Sequence, residues 1–180
     1  QDLGLSVKWG QVNVGAGNPL SGGTHFAWGE VSGKSGMMHD SYYIWRTYKH
    51  CDGAESNMIK YNEEDGLTAL EAVDDAATMN MGENWRTPTR EEWQELIDSC
   101  VWTWYTGYYK VTSKVNNKSI FLYEGGCSKG GGRSLNGLYY WSSSLYNQDV
   151  RRAYALYRNG KVSNDYERYI GMPVRPVWNE

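Results

Sequence analysis

Hydrophobic and polar positions change their period twice along this chain. In the first third the alternation is weak: "LSVKWGQVNVG" and "HFAWGEV" each read as a strand, and "SGKSGMMHDS" reads as a loop with turn chemistry. The period then becomes helical. In "TALEAVDDAATMNMG", Leu70, Val73, Ala77 and Met81 recur at steps of three and four, which predicts a helix ending at Gly82, a residue suited to a C-terminal cap. A second helix is better marked. In "RTPTREEWQELIDSC", Thr89 and Glu92 have capping-box spacing, Pro88 restricts the chain just outside, and Trp93, Leu96 and Ile97 share one face.

From residue 101 onward the pattern is strand and loop. "YYKVTSKVNNKSIFLYE" reads as two strands joined around Asn116-Asn117, which tolerate the positive φ of a tight turn. "GGCSKGGGRSLNG" reads as a flexible insertion, without the strand-to-helix context or basic density of a phosphate loop. Then come "LYYWSSS", "RAYALYRNGKV" and "MPVRPV". Asn159-Gly160 is a hairpin signal that pairs Tyr154–Tyr157 with Lys161–Ser163. Pro173 and Pro176 cannot donate to a ladder, so the last strand is expected at an edge or irregular, closing the fold against the N-terminal strand.

Composition narrows the function classes. A chain of 180 residues suits one domain, covering 1–180, that folds without disulfides or metal. A net charge of −3 argues against a nucleic-acid partner, which needs many Lys and Arg placed against phosphates. No apolar run is long enough for membrane insertion, and "QDLGLSVKWG" lacks the basic start and apolar stretch of a signal peptide, so any export signal or anchor is expected upstream or removed. The histidines, His25, His39 and His50, follow no order of a catalytic site. Cys51, Cys100 and Cys127 are odd in number without metal-like spacing; free, partly buried thiols and a Cys100–Cys127 pair both stay open.

The aromatic balance is 15 Tyr and 9 Trp against 2 Phe, which suits recognition surfaces and half-wet cores, because both larger rings carry a hydrogen-bonding handle. Trp9, Trp28, Trp85, Trp93 and Trp141 fall in scaffold segments and read as core; Arg86 and Arg175 read as hydrogen-bonding locks on loops. The segment 139–177 is different. Its ends are strand-like, and its middle mixes Tyr, Arg, Asn, Asp and Ser as antibody paratopes do. Tyr146, Asn147, Asp149, Arg151, Arg152, Tyr154, Tyr157, Arg158, Ser163, Asn164, Asp165, Tyr166 and Ile170 are the candidate ligand-binding residues, expected to point outward together on one patch. The plainer alternative is a solvated face in which Arg151, Arg152, Arg158 and Arg168 pair with Asp149, Asp165 and Glu167.

The ordered set "DLGLSVKW", "HFAWGE", "DDAA", "NWRTPTREEW", "YKVTS", "SIFL", "YYWSSS" and "VRPV" resembles the C-type-lectin-like domains of the Fibrobacter succinogenes major paralogous domain type, found in surface proteins of gut Bacteroidales and their phages. The resemblance runs from residue 2 to residue 177. It implies an α+β, C-type lectin-like fold of the formylglycine-generating-enzyme-like branch, with two helices, small antiparallel sheets, long irregular loops and neighbouring chain ends. It also implies an extracellular domain, on a bacterial cell surface or phage virion, that binds a protein or glycan receptor and is compatible with oligomers.

Two departures from relatives matter. The matched cysteines that the enzymatic subgroup needs near the C-terminus are missing, so the expectation is a non-enzymatic domain. The Glu-Pro-Asn type tripeptide of calcium-dependent lectins is also missing; Asn147-Gln148-Asp149 is a faint echo of calcium ligands, and no cofactor is expected. A further subset of the fold is diversified by retroelements, which rewrite Asn codons at their adenines. Asp149, Arg151, Arg152, Tyr154, Tyr157, Arg158, Ser163, Asp165, Tyr166 and Ile170 are all reachable in that way, whereas Gln148, Lys161, Glu167 and Met172 are not and are expected to be fixed. An undiversified carbohydrate-binding or adhesion module using Trp and Tyr as stacking platforms is the alternative.

Overall fold

A computed structural model describes residues 1–34, 42–158 and 160–178, with backbone alone at 133 and 134. His39, most of the "SGKSGMMHDS" loop and Asn159 lie outside the described residues. Strand β1 is only Lys8–Trp9, and the stretch 25–31 contributes a single bridge, Phe26 to Met172. The first strand expected there is thus shortened to two residues, and the second is corrected to an anchored loop. Side chains replace the ladder there: Asn13 donates to the carbonyls of Ser21 and Gly22, and the Trp28 indole donates to Ser142 O at 2.8 Å.

The expected first helix shortens to α1, Ala76–Met81, preceded by a 3-10 turn at Ala72–Asp74. Asp75 is the reason. Its carboxylate caps the N–H groups of Ala77 and Thr78 and also accepts from the Thr87 amide and hydroxyl, which pins the helix start. Val73, expected inward, is 61% exposed as a result. The helix stops at Gly82, whose φ of 99° favours glycine.

After β2 (Trp85–Arg86), helix α2 (Arg90–Ser99) begins with the capping box that its spacing predicts, and Trp93 and Leu96 are buried. The chain continues as a three-stranded antiparallel sheet, β3 (Cys100–Tyr105), β4 (Tyr108–Ser113) and β5 (Ser119–Tyr123), with Asn117 at φ 60° in the second turn. The Gly-rich insertion is corrected to a two-stranded ribbon, β6 (Cys127–Lys129) and β7 (Gly132–Leu135). Next comes an antiparallel sheet of β8 (Tyr139–Leu145), β9 (Arg152–Tyr157) and β10 (Lys161–Glu167), in which Tyr157 and Leu156 pair with Lys161 and Val162. The last strand, β11 (Val177–Trp178), lies between β1 and β2 rather than at an edge, because Pro173 and Pro176 precede it in irregular chain. The chain ends do close on each other.

Strand β9 has a core on each face. Ala153 and Ala155 join Trp28, Tyr61, Trp141 and Met172 in one cluster, and Leu156 joins Trp9, Trp93, Tyr140 and Leu122 in the other. Trp9, Trp28, Trp93 and Trp141 are fully buried, while Trp85 is half-buried against Trp178. Arg175 is a buried lock: it donates to Asn13 Oδ1, Gly10 O and Phe121 O at 2.8–2.9 Å, tying the N-terminal loop to β5. Arg86 reaches Glu92 of the capping box. None of the three cysteines is in a disulfide, and all are buried.

Candidate ligand-binding face

The turn between β8 and β9 is built from its own backbone. Asp149 N donates to Tyr146 O, Arg152 N to Asp149 O, and the Asp149 carboxylate accepts from Arg151 N, an Asx-type closure that fixes the turn. Asp149 also holds Arg151 Nε at 2.8 Å and Arg152 Nε at 3.3 Å, and the Arg151 guanidinium keeps its carboxyl below the ordinary aspartate range. Across from this turn runs the 55–64 loop. Between them lies an open cleft of about 610 Å³, lined on one wall by Glu55, Met58, Asn62 and Glu64 and on the other by Gln148, Asp149 and Arg151.

The face continues onto helix α2. The Tyr146 hydroxyl donates to Gln148 Oε1 at 2.7 Å, its ring meets Tyr154 edge-on at 5.6 Å, and Arg90 lies over the Tyr154 ring while donating to its hydroxyl at 2.7 Å. Arg151 reaches Glu55 at 3.8 Å across the cleft. A run of contacts thus joins Arg90 to Glu55 through Tyr154, Tyr146 and the turn. It is part aromatic, part charged and open to water, which suits adaptable polar and cation–π contact.

Only part of the candidate set shares this face. Tyr146, Asn147, Asp149, Arg151, Arg152 and Tyr154 do; Asn147 is exposed at the turn. Tyr157 and Tyr166 lie on the other side of the sheet, where they pack on each other at 5.5 Å and both against Tyr139, leaving them half-buried over the larger core. Burial raises the Tyr139 phenol to about 12 and raises that of Tyr166 as well. Arg158 is exposed and lies over the Tyr157 ring. Ser163, Asn164 and Asp165 occupy a bulge in β10, where the Ser163 hydroxyl donates to Asp165. Ile170 is 7% exposed and belongs to the core, so its place in the candidate set is corrected. The expectation of one patch is corrected too: period-two alternation sends residues three apart on β9 to opposite faces.

Arg168 is the largest surprise, because the solvated-face reading placed it outside. Its guanidinium is buried among Trp28, Tyr48 and Tyr61. It donates to Val150 O at 2.7 Å, Tyr61 O at 3.0 Å and Lys60 O at 3.0 Å, with Nε on the Tyr48 hydroxyl. Those carbonyls belong to both walls of the cleft, so one side chain holds the walls in register. The only local signal is its position at the head of "RYIGMPV", an almost uncharged run. Arg90, Glu55 and Gln148 were also missed as members of the face; nothing local to them announces contacts across the fold.

Among the described residues, no cluster of three or more His, Cys, Asp or Glu side chains could hold a metal ion, and no helix is long and apolar enough to cross a membrane. The Asp149 carboxylate and the Gln148 amide oxygen, the faint calcium echo, are engaged by Arg151, Arg152 and Tyr146. No protein-family model, curated protein or solved structure matches this chain.

Proposed function

We propose that this chain is a C-type-lectin-like, non-enzymatic receptor-binding domain, displayed extracellularly on a bacterial or phage surface. In this reading it belongs to the retroelement-diversified variable proteins that its sequence resembles. The observation that carries the proposal is the continuous, partly exposed face from Arg90 through Tyr154, Tyr146, Asp149 and Arg151 to Glu55, mounted on a buried framework. A face fixed by the backbone hydrogen bonds of its turn and by Arg168 loses little ordering entropy when a receptor docks. Its exposed side chains can change at a cost of about 0.5 kcal/mol or less where they make no core contact. Glu55, Glu63, Glu64 and Asp149 outnumber Arg151 around the cleft, which favours a protein or glycan surface offering cations or hydroxyl donors.

Sequencing the coding segment for 139–177 in sibling strains tests the reading. Substitutions are expected at Tyr146, Asn147, Asp149, Arg151, Arg152 and Tyr154, with Ser142, Ala153, Arg168 and Arg175 unchanged and a near-copy template beside a reverse transcriptase gene. Changes spread evenly over framework and face would reject it.

A further inference from the structure

Among the described residues, strand β3 ends its sheet, with β4 on one side only. Natural edge strands are usually guarded by charge, proline, a bulge or a covering element. The sequence of β3, "CVWTWY", has no charge or proline, and its register with β4 runs without a shift. Val101, Trp104 and Tyr105 are 53%, 57% and 44% exposed.

The direction of the backbone groups follows from the ladder. Lys114 N donates to Ser99 O at 3.0 Å, and these two residues are opposite in the register that pairs Cys100 with Ser113. Hydrogen-bonded pairs alternate along an antiparallel ladder, so Val101, Thr103 and Tyr105 bond to β4 while Trp102 and Trp104 turn their N–H and C=O groups to the open edge.

We propose that this edge is a homodimer interface, in which β3 pairs antiparallel with β3 of a second copy about a two-fold axis through Thr103. In that register Trp102 and Trp104 of one copy exchange backbone hydrogen bonds with Trp104 and Trp102 of the other, which uses the outward groups. The side chains match as well. Trp102 meets Trp104 on one face, while Val101 meets Tyr105 and Thr103 meets Thr103 on the other; these are aromatic, aromatic–β-branched and Thr–Thr pairs that stabilise antiparallel sheets. No charge on β3 opposes itself across the axis, so a second copy is the occupant that the strand complements from Val101 to Tyr105. The two three-stranded sheets then become one continuous antiparallel sheet. The interface is isologous, as most homodimers are, and small enough that association is weak and concentration-dependent.

Sedimentation of the whole chain, up to about 1 mM, tests this. The wild type is expected to move from 20.5 kDa towards twice that mass as concentration rises. Thr103→Glu should lose the dimer. In the monomer the new carboxylate faces Lys110, its β4 partner, so folding is retained; in the dimer it faces itself. Met79→Glu, at an exposed site on α1, should leave association unchanged. Thr103→Cys with a mild disulfide oxidant should give a covalent dimer, since a close, non-hydrogen-bonded pair suits that bond and the native thiols are buried. A wild type that stays monomeric throughout, or a dimer indifferent to Thr103→Glu, overturns the proposal. Failure of Thr103→Cys to cross-link an otherwise dimeric protein overturns the register.

Discussion

Tyr154 and Tyr157 sit three residues apart on β9 and finish on opposite sides of their sheet. Tyr154 rests on the Arg90 guanidinium and the Tyr146 edge, in a setting of exposed charges. Tyr157 is wedged between Tyr139 and Tyr166 over the larger core. One strand therefore carries the same residue type in two roles, and parity decides between them. On the turn side the framework holds the backbone and leaves the rings replaceable. On the other side the rings are part of what holds the framework.

Both sides depend on Arg168, so its removal breaks the comparison most completely. Arg168→Ala strands the carbonyls of Val150, Lys60 and Tyr61 in a buried site and leaves a cavity among three aromatic rings. An unsatisfied buried polar group costs about 1–3 kcal/mol, and the cavity adds to it, so a loss of about 4 kcal/mol is expected. In a domain of this size that lowers the melting temperature by roughly 10 °C. Arg168→Lys should recover only a fraction, because an ammonium lacks the planar fork that reaches both cleft walls. A melting temperature within about 2 °C of wild type for Arg168→Ala would show that the two walls are held by something else.

Next in size is a pH effect from the aromatic box beside Arg168. His50 is buried with Tyr48 and Tyr61 against its ring and with Gly29 O, Asp74, Lys49 and Arg168 nearby; burial outweighs the favourable contacts and lowers its pKa to about 4. The unfolded state takes up this proton near pH 6.5 and the folded state does not, so stability falls as pH drops from about 6.5 to 4, by up to about 3 kcal/mol. Asp74 acts lower down. Bonds from Lys49, Lys60 and Tyr61 overcome its burial and hold it at about 2, so its contribution is present above the ordinary aspartate range and is lost only as pH falls towards 2. Urea midpoints measured from pH 8 to 4 should therefore slope in the wild type and flatten in His50→Gln. An equal slope in both proteins would assign the effect to other groups.

The legible parts of this molecule are those fixed by neighbours in sequence. Thr89 and Glu92 set the start of α2, Asn117 the β4–β5 turn, and alternation the β8–β10 strands, because each interaction spans only a few residues. Parity on β9 was equally readable, since Tyr154 and Tyr157 differ by an odd number. What stayed hidden was held by distant partners. Asp75 starts α1 late through Thr87, the first-third loops hang on Asn13 and Trp28, and Arg168 turns inward because carbonyls from two other segments meet there. Half of the candidate face was legible by composition. Its other half, Arg90 and the 55–64 wall, depends on how α2 and the middle loop are placed in space.

The smallest expected effect is also the closest test of parity. Tyr166→Ala removes a half-buried ring that contacts two others, each aromatic pair contributing about 0.5–1.5 kcal/mol beyond its buried area, so a loss of about 2 kcal/mol is expected. Tyr154→Ala removes a half-buried ring stacked on the exposed Arg90, a cation–π contact whose ordinary size is about 0.5–1 kcal/mol. The double variant Tyr157→Ala with Tyr166→Ala should lose less than the sum of its singles, by about 1 kcal/mol, because the rings share their contact. Tyr154→Ala with Tyr166→Ala should add, since their sheet faces differ. Denaturation of the three single and two double variants decides it. If Tyr154 couples to Tyr166 as strongly as Tyr157 does, the sheet is not separating the two sides and the turn face cannot vary independently of the core.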